Sequence, residues 1–457
     1  MDHMDGGIRS LFTFVAGVAL VVGACATNGA AATPSAAASA ADLTSPAVSP
    51  TLDQVTQTPS PAPTPSGTPA PPPTDIPLTS PTPTPTPTAA PVTTPTAEPT
   101  PTPTPPAVPT SAASWTAPRA VGSATQCQNV SAQIDASGGY HIAAECNESI
   151  HYYASKPGGS WISRVFLVPA HRAELDPIVA VDGNVVYVAY TRIAPDGGCG
   201  SAGPDVGVYV RSRKLPNGAW SAATRIGAVA DSLQAFQVSG GTLHVVADAT
   251  NEHVYYETLT GSTFHRYLLS GARGRASLGI AADGHARIVY ETYAGLRYAV
   301  FNGSHFTSSR IGGTTESDWA PDLVLDGLGK PHVLWTRSPL PGGCATRDPL
   351  PDDGTYYASD PSGTWVSRRI SKSTGQTSLQ IDDATGRAYA LVTDGRGIRF
   401  LTMTAAGQWS GVNVVSTSGA MAPVLRRDPA TGAFLIVYVN VSPSGAFRVY
   451  ALTKAGS

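Results

Sequence analysis

The chain has 457 residues and a nearly balanced charge, 29 Lys and Arg against 32 Asp and Glu, for a formal net charge of −3. That balance leaves no basic excess to hold a phosphate backbone and argues against a nucleic-acid partner. Its 41 prolines and 46 glycines are too many for one ordinary globular domain, so much of the proline must sit in a segment of its own.

Leu11 to Ala24 form a 14-residue apolar run, too short to span a bilayer as a helix and long enough for the core of a secretory signal. The run ends in Val22-Gly23-Ala24-Cys25. This resembles the lipobox of bacterial lipoproteins, an aliphatic residue and two small ones before a cysteine. The resemblance implies a signal peptide over residues 1–24 and a lipid on the Cys25 thiol. That anchor would hold the protein to the outer side of the bacterial cell membrane, two acyl chains being enough for stable attachment. Ordinary signal cleavage near Ala24 to Ala26, releasing a soluble protein, is the alternative.

Residues 25–113 form a linker. Ala26 to Ala113 hold 24 of the 41 prolines, four acidic residues and no Lys or Arg. With almost no aromatic or branched aliphatic side chains to bury, this stretch is expected to be disordered. Its Pro/Thr alternation favours an extended polyproline path, so the segment reads as a stalk, and its threonines are open to O-linked sugars.

Residues 114–457 change to short β-rich runs separated by glycine turns. A unit recurs: an apolar strand ending in Asp, a Gly turn, a second alternating strand, a third strand built around tyrosine, and a turn into an aromatic residue that opens a fourth. The opening aromatics are Trp115, Trp161, Trp220, Phe264, Phe306, Trp365 and Trp409, seven in all. Those of the third strand are Tyr153, Tyr209, Tyr256, Tyr298, Tyr357, Phe400 and Tyr450, again seven but shifted. Four-stranded units of about 45 residues mark β-propeller blades. The offset is what ring closure by strand exchange requires: the strand from Trp115 to Val121 completes the blade begun at Pro423. The fold class is therefore all-β, a seven-bladed β-propeller closed by its N-terminal strand.

Successive opening aromatics are spaced 46, 59, 44, then 42, 59, 44, as if a three-blade unit had been duplicated and a seventh blade added. The extra length of blades two and five falls between the second and third strands. There Thr191-Arg192 leads to Gly197-Gly198-Cys199, and Thr336-Arg337 leads to Gly342-Gly343-Cys344. Both loops rise on the face that also carries the links between blades, the usual ligand face of propellers.

Four cysteines besides Cys25 suggest disulfides in an exported domain. Cys127, before the first strand of blade one, pairs with Cys146, which ends its second. Of the three possible pairings, that leaves Cys199 with Cys344, which would strap the two matched loops together; the alternative is that the loops never meet and these thiols stay free or pair elsewhere. No close Cys/His spacing supports a zinc site, and neither a metal nor a cofactor is expected.

Arg192 and Arg337 are candidate ligand-binding residues, since a guanidinium can hold a carboxylate bidentately. Glu145, Asp248 and Glu291 end second strands on the same face, and Asp318 with Trp319 open blade five. Two such carboxylates within reach of one bond could cleave a glycoside; the same residues could equally cap strands or pair with the two arginines. His141, His244 and His332 recur at second-strand starts, a repetition that points to packing rather than catalysis.

The turn Ser359-Asp360-Pro361-Ser362-Gly363-Thr364-Trp365 resembles the Asp-box of sialidase-like propellers, its glycine one residue late. That resemblance implies the fold of a family whose enzymes usually have six blades and work with an arginine triad, a tyrosine nucleophile and an acid/base aspartate. This catalytic set cannot be placed on the present sequence. No Gly-rich phosphate loop or Gly-x-Ser-x-Gly elbow is present either. The sequence points to a surface-anchored lipoprotein whose extracellular propeller binds a glycan or cell-envelope protein without catalysis. A sialidase-like glycoside hydrolase acting on extracellular glycans is the alternative.

Overall fold

Short alternating runs between glycine turns become seven four-stranded antiparallel sheets in the computed structural model. It describes residues 114–456 apart from 167, 170–171, 195–204, 230, 250–252, 339–349, 361–362 and 443. The signal segment, Cys25, the Pro/Thr-rich linker, Cys199 and Cys344 lie outside the described residues.

Blades one to six are continuous in sequence, at 127–165, 173–229, 232–268, 276–310, 318–371 and 377–415, each with its strands in chain order. Blade seven takes three strands from 421–454 and its fourth from Arg119–Ala120 at the other end of the domain. The closing strand pairs Arg119 with Ala451, and the Val121 N–H donates to the Val449 carbonyl at 3.0 Å. The ring thus closes as the shifted aromatic tallies require, and no blade is left with an open face.

Burial follows the order of strands in a blade. Second strands such as Tyr140–Cys146 and Pro331–Arg337 are buried at every residue, whereas the fourth strand Ile162–Val165 is exposed throughout. The core is a ring of seven apolar wedges, one at each blade junction. Ile150 and Tyr152 of blade one meet Val188 of blade two, for example, and Val289 of blade four meets Trp335 of blade five.

In five blades the aromatic that opens the fourth strand reaches back to the third strand of the preceding blade, whereas Trp161 meets Tyr140 of its own blade at 6.3 Å and Phe264 is 42% exposed. Trp220 meets Tyr152 at 4.8 Å between ring centroids, Phe306 meets Tyr256 at 5.6 Å, and Trp365 meets Tyr298 at 5.4 Å. Trp409 meets Tyr357 at 5.2 Å, and Trp115 closes the series on Phe400 at 5.1 Å. All seven tallied third-strand aromatics lie on third strands, but they do not all face the same way. Tyr153, Tyr209 and Tyr450 pack toward the blade before them, not the blade after. Side chains alternate faces along a strand, so the equivalent place in blade one falls to Tyr152, one residue earlier.

The recurrent histidines serve the same junctions. His141, His244 and His332 each share a hydrogen bond through Nδ1 with a third-strand tyrosine hydroxyl, those of Tyr152, Tyr256 and Tyr357, at 2.5, 2.7 and 2.6 Å. Burial pushes the His244 imidazole down to about 4. The folded state therefore keeps it neutral, while the unfolded chain takes up a proton below about pH 6.5. Stability contributed by the neutral ring is present above that pH and is lost on acidification, by ~3 kcal/mol on reaching pH 4. Urea unfolding of His244→Gln and the parent at both pH values checks this. The parent should lose more than the variant over that interval, and equal losses would refute the assignment.

A second ring of contacts binds the innermost strands, whose backbone edges face the channel without a sheet partner. At every junction a side chain of one blade meets a backbone group of the next. The Oγ atoms of Ser131, Ser277 and Ser378 accept the N–H groups of Val179, Leu323 and Leu425 at 3.1, 2.9 and 3.0 Å. Thr191 Oγ1 accepts the Leu233 N–H at 2.8 Å, and Asp322 accepts that of Leu379 at 2.7 Å. Gln237 donates to the Leu278 carbonyl at 2.8 Å, and Arg426 Nε donates to that of Ala132 at 2.7 Å, closing the circle. Each satisfies a backbone group that would otherwise be buried unpaired.

Candidate functional site

The second-to-third connections and the links between blades share one face, where every sequence-predicted candidate lies. Cys127 and Cys146 are directly opposite on the first two strands of blade one and form the expected disulfide. The lengthened connections of blades two and five fall between Ile193 and Gly207 and between Arg337 and Gly354, as the spacings predict.

Arg192 and Arg337 occupy matching places and hold matching partners. Glu174 is the cross-strand neighbour of Arg192, and Asp318 that of Arg337. Arg192 Nη2 donates to Glu174 Oε1 at 2.6 Å, and its guanidinium lies 4.0 Å from the centroid of the Tyr209 ring. Arg337 clasps Asp318 with both Nε and Nη2, at 2.7 and 2.8 Å, and Nη2 also reaches the Gly313 carbonyl at 2.6 Å. Both arginines are under a tenth exposed. Burial lifts the Glu174 carboxyl, and the Arg192 guanidinium pulls it back.

Glu145 and Glu291 end the second strands of blades one and four, and each reaches across to the next blade. There the innermost strand carries a bulge just before a proline, with Asp176 and Ala320 at φ 51° and 50°. Positive φ is costly for residues other than glycine, so the bulge needs support. Glu145 Oε2 accepts the Asp176 N–H at 3.2 Å, and Glu291 Oε1 accepts the Ala320 N–H at 2.8 Å. The device recurs at the junction of blades six and seven, where Gln376 Oε1 accepts the N–H of Ala422, at φ 48°, at 2.5 Å.

Asn129 joins Glu145 to a second carboxylate: its amide nitrogen donates to Glu145 Oε2 at 3.1 Å and to Asp176 Oδ1 at 2.7 Å. Burial pushes the Glu145 carboxyl up to about 6, against the lowering effect of the Asp176 N–H. Asp176 is ringed by the channel wall although its side chain reaches solvent in the lumen. Burial raises its carboxyl too, with the Arg275 guanidinium opposing. The space in this channel mouth is about 190 Å³, bordered by Asn129, Arg275, Ala320, Gln376 and Ala422.

Asp248 ends its strand opposite Ser232, whose hydroxyl donates to the Asp248 carbonyl at 3.3 Å. Trp319 Nε1 donates to Ser338 Oγ at 2.9 Å, and the Arg275 guanidinium lies 5.5 Å from its ring centroid. The predicted residues are therefore distributed around the ring and are not gathered into one pocket. Among the described residues, no group of three or more His, Cys, Asp or Glu side chains is placed to hold a metal ion.

The larger opening on this face is an open cleft of about 850 Å³ between blades five and six. One wall is the end of the outer strand of blade five and the link that follows, with Arg369 and Lys372. The other is the second-to-third hairpin of blade six, with Arg396 and Arg399. Sequence reasoning missed this cleft, Asn129, Asp176 and Gln376. The signals were present: Asp176-Pro177, Ala320-Pro321 and Ala422-Pro423 repeat an X-Pro step at one blade position, and basic residues three apart flank both walls of the cleft.

No protein-family model matches the chain, and no curated protein matches it. Among solved structures it is similar to a protein of unknown function from Dyadobacter fermentans, at 12% identity and a TM-score of 0.45, over 74% of this chain and 99% of that one. It is similar also to Trypanosoma rangeli sialidase in complex with sialic acid, at 10% identity and a TM-score of 0.43, over 72% of this chain and 54% of that one. A mutant of the same sialidase displaying trans-sialidase activity matches at 11% identity, with a TM-score of 0.43 and the same coverage. The chain spans about half the length of these sialidases.

Proposed function

We propose that this chain is an exported lipoprotein, anchored through Cys25 to the outer side of the bacterial cell membrane, whose propeller binds a glycan or cell-envelope protein without catalysis. The non-catalytic part rests on the repeated bulge support. Glu145, Glu291 and Gln376 hold equivalent backbone N–H groups in three different junctions. Among the described residues, a hydrogen-bonded bridge to a second carboxylate is seen at the first alone, and the third is an amide, which accepts the same hydrogen bond and exchanges no proton. Hydrolysis of a glycoside needs a pair of carboxyl groups that change protonation or attack. The open cleft between blades five and six supports binding in its place.

One observation favours the hydrolase reading. Hydrogen bonds from the single Asn129 nitrogen bring the nearest oxygens of Glu145 and Asp176 within about 6 Å of each other, near the separation used by retaining glycosidases. A glycan array with the purified full chain, read for retained binding and released sugar together, separates the two. Binding without release is expected. Glu145→Gln should bind as the parent does and be as stable or more stable at pH 7. The raised Glu145 carboxyl costs the parent stability above about pH 4.5, and that difference closes below it. Glu145→Ala should lose about 1–3 kcal/mol by leaving the Asp176 N–H unpaired. Sugar release abolished by both Glu145→Gln and Asp176→Asn would sink the binding reading.

A further inference from the structure

We infer that the cleft between blades five and six is the ligand site and that its ligand is a polysaccharide carrying anionic groups along its length, an inference that rests on the binding reading above. The first support is a gathering of cations: Arg273, Arg275 and Arg310 on this face also form no ion pair among the described residues, but only singly or in a link, whereas four cations border one cleft. Arg172, Arg192, Arg266 and Arg337 are each neutralised by a carboxylate within 3.2 Å. Arg369, Lys372, Arg396 and Arg399 line one cleft, and among the described residues none of the four is in an ion pair. The carboxylate that shares the lining, Asp394, accepts the Arg396 backbone N–H at 3.0 Å and so is turned toward its own hairpin.

The second support is a substitution within the repeat. Where the second strands of blades one and four set Glu145 and Glu291 opposite Ile150 and Leu296, that of blade six sets Thr393 opposite the matching Ile398. The Ser373 hydroxyl donates to the Thr393 carbonyl, tying the two walls together without placing a charge between them. The wall that could have carried a neutralising acid carries a hydroxyl residue; Arg369 is held by the Pro351 and Asp353 carbonyls at 2.5 and 3.3 Å, and Lys372 and Arg396 present their charges to solvent.

Size and composition select the ligand class. A space of about 850 Å³ lies within the range of small-ligand sites and is large enough for a few sugar units. Cations on both walls suit anionic groups spaced along a chain running through the cleft, and arginine suits carboxylate, sulfate or phosphate oxygens bidentately. The lining hydroxyls of Ser371, Thr374 and Thr393 suit the uncharged parts of a sugar. The chain as a whole is net negative, which disfavours a nucleic acid, whose binding needs a broader basic surface.

The test is a titration of the purified full chain with polygalacturonate, dextran sulfate and neutral dextran of equal length, at low and at physiological salt. Binding of at least one anionic polymer and not of neutral dextran is expected, weakening as salt screens the cleft. The two anionic arms distinguish carboxylate from sulfate recognition. Lys372→Ala/Arg396→Ala should weaken binding by about tenfold or more with an unchanged melting temperature, since both side chains are exposed. Arg164→Ala, on the outer strand of blade one, should bind as the parent does. Unchanged binding by the double variant moves the site elsewhere and leaves the binding function standing. Equal affinity for neutral dextran, or no binding of either anionic polymer, overturns the ligand class. Sugar released from a bound polymer overturns the wider reading instead.

Discussion

Arg337→Ala will lower the unfolding free energy by about 3–5 kcal/mol, the range expected when one partner of a buried ion pair is removed. Asp318 is 2% exposed and Arg337 7%. With the guanidinium gone, the Asp318 carboxylate keeps the Thr315 N–H at 2.6 Å but loses both bonds to arginine. The Gly313 carbonyl loses its donor at the same stroke. The cost is thus the isolation of a buried charge, not the worth of the pair, and it should largely vanish in Asp318→Leu/Arg337→Met, where neither charge remains. Urea unfolding at pH 7 measures both. If the single variant unfolds at the parent's urea concentration, Asp318 does not need Arg337, and the arginine is free to serve a ligand. Arg192→Ala should move the same way, because Glu174 is wholly buried beneath it.

Blade count and closure were legible because both depend on local patterns, a strand aromatic every blade, and a lone fourth strand at the start of the domain matched by a three-strand blade at its end. The facing of individual side chains was less so. Tyr153 and Tyr152 are neighbours, and period-two alternation sends them into different junctions. Inner-strand bulges hid the partners of the arginines. Glu174 and Asp318 lie 18 and 19 residues before Arg192 and Arg337. Simple hairpin register misplaces them because the X-Pro bulge adds residues on one strand only. Contacts between blades join residues one blade apart, such as Ser131 with Val179 and Ser277 with Leu323, 48 and 46 positions away. The recurring serine was visible, but its acceptor role needs the unpaired inner edge of the next blade. The basic cleft was hidden for a similar reason: Arg369 and Arg399 meet only because an outer strand's end and the next blade's hairpin emerge on one face.

Removing residues 114–122 will cost about 5 kcal/mol or more and leave the remaining chain prone to association. The closing strand contributes more than its two-residue ladder suggests. Trp115 sits against Phe400 at 5.1 Å and Phe434 at 6.3 Å, and Val121, 3% exposed, belongs to the wedge between blades seven and one. The Thr116 N–H donates to the Thr453 carbonyl at 2.8 Å, and the Thr453 N–H returns to Thr116 Oγ1 at 2.9 Å. Without these contacts the third strand of blade seven, Phe447–Lys454, becomes an unpaired edge beside an opened wedge. A synthetic peptide of residues 114–122 added in trans should dock on that edge as a fourth strand and raise the melting temperature, since strand addition supplies the same backbone bonds. A Gly122→Ala peptide should do so poorly, because a Cβ at that position would stand 2.5 Å from the Tyr153 ring. Thermal unfolding of the truncated chain with and without each peptide reads the result. If truncation leaves the midpoint unchanged, blade seven holds without its exchanged strand, and closure is not what keeps the ring together.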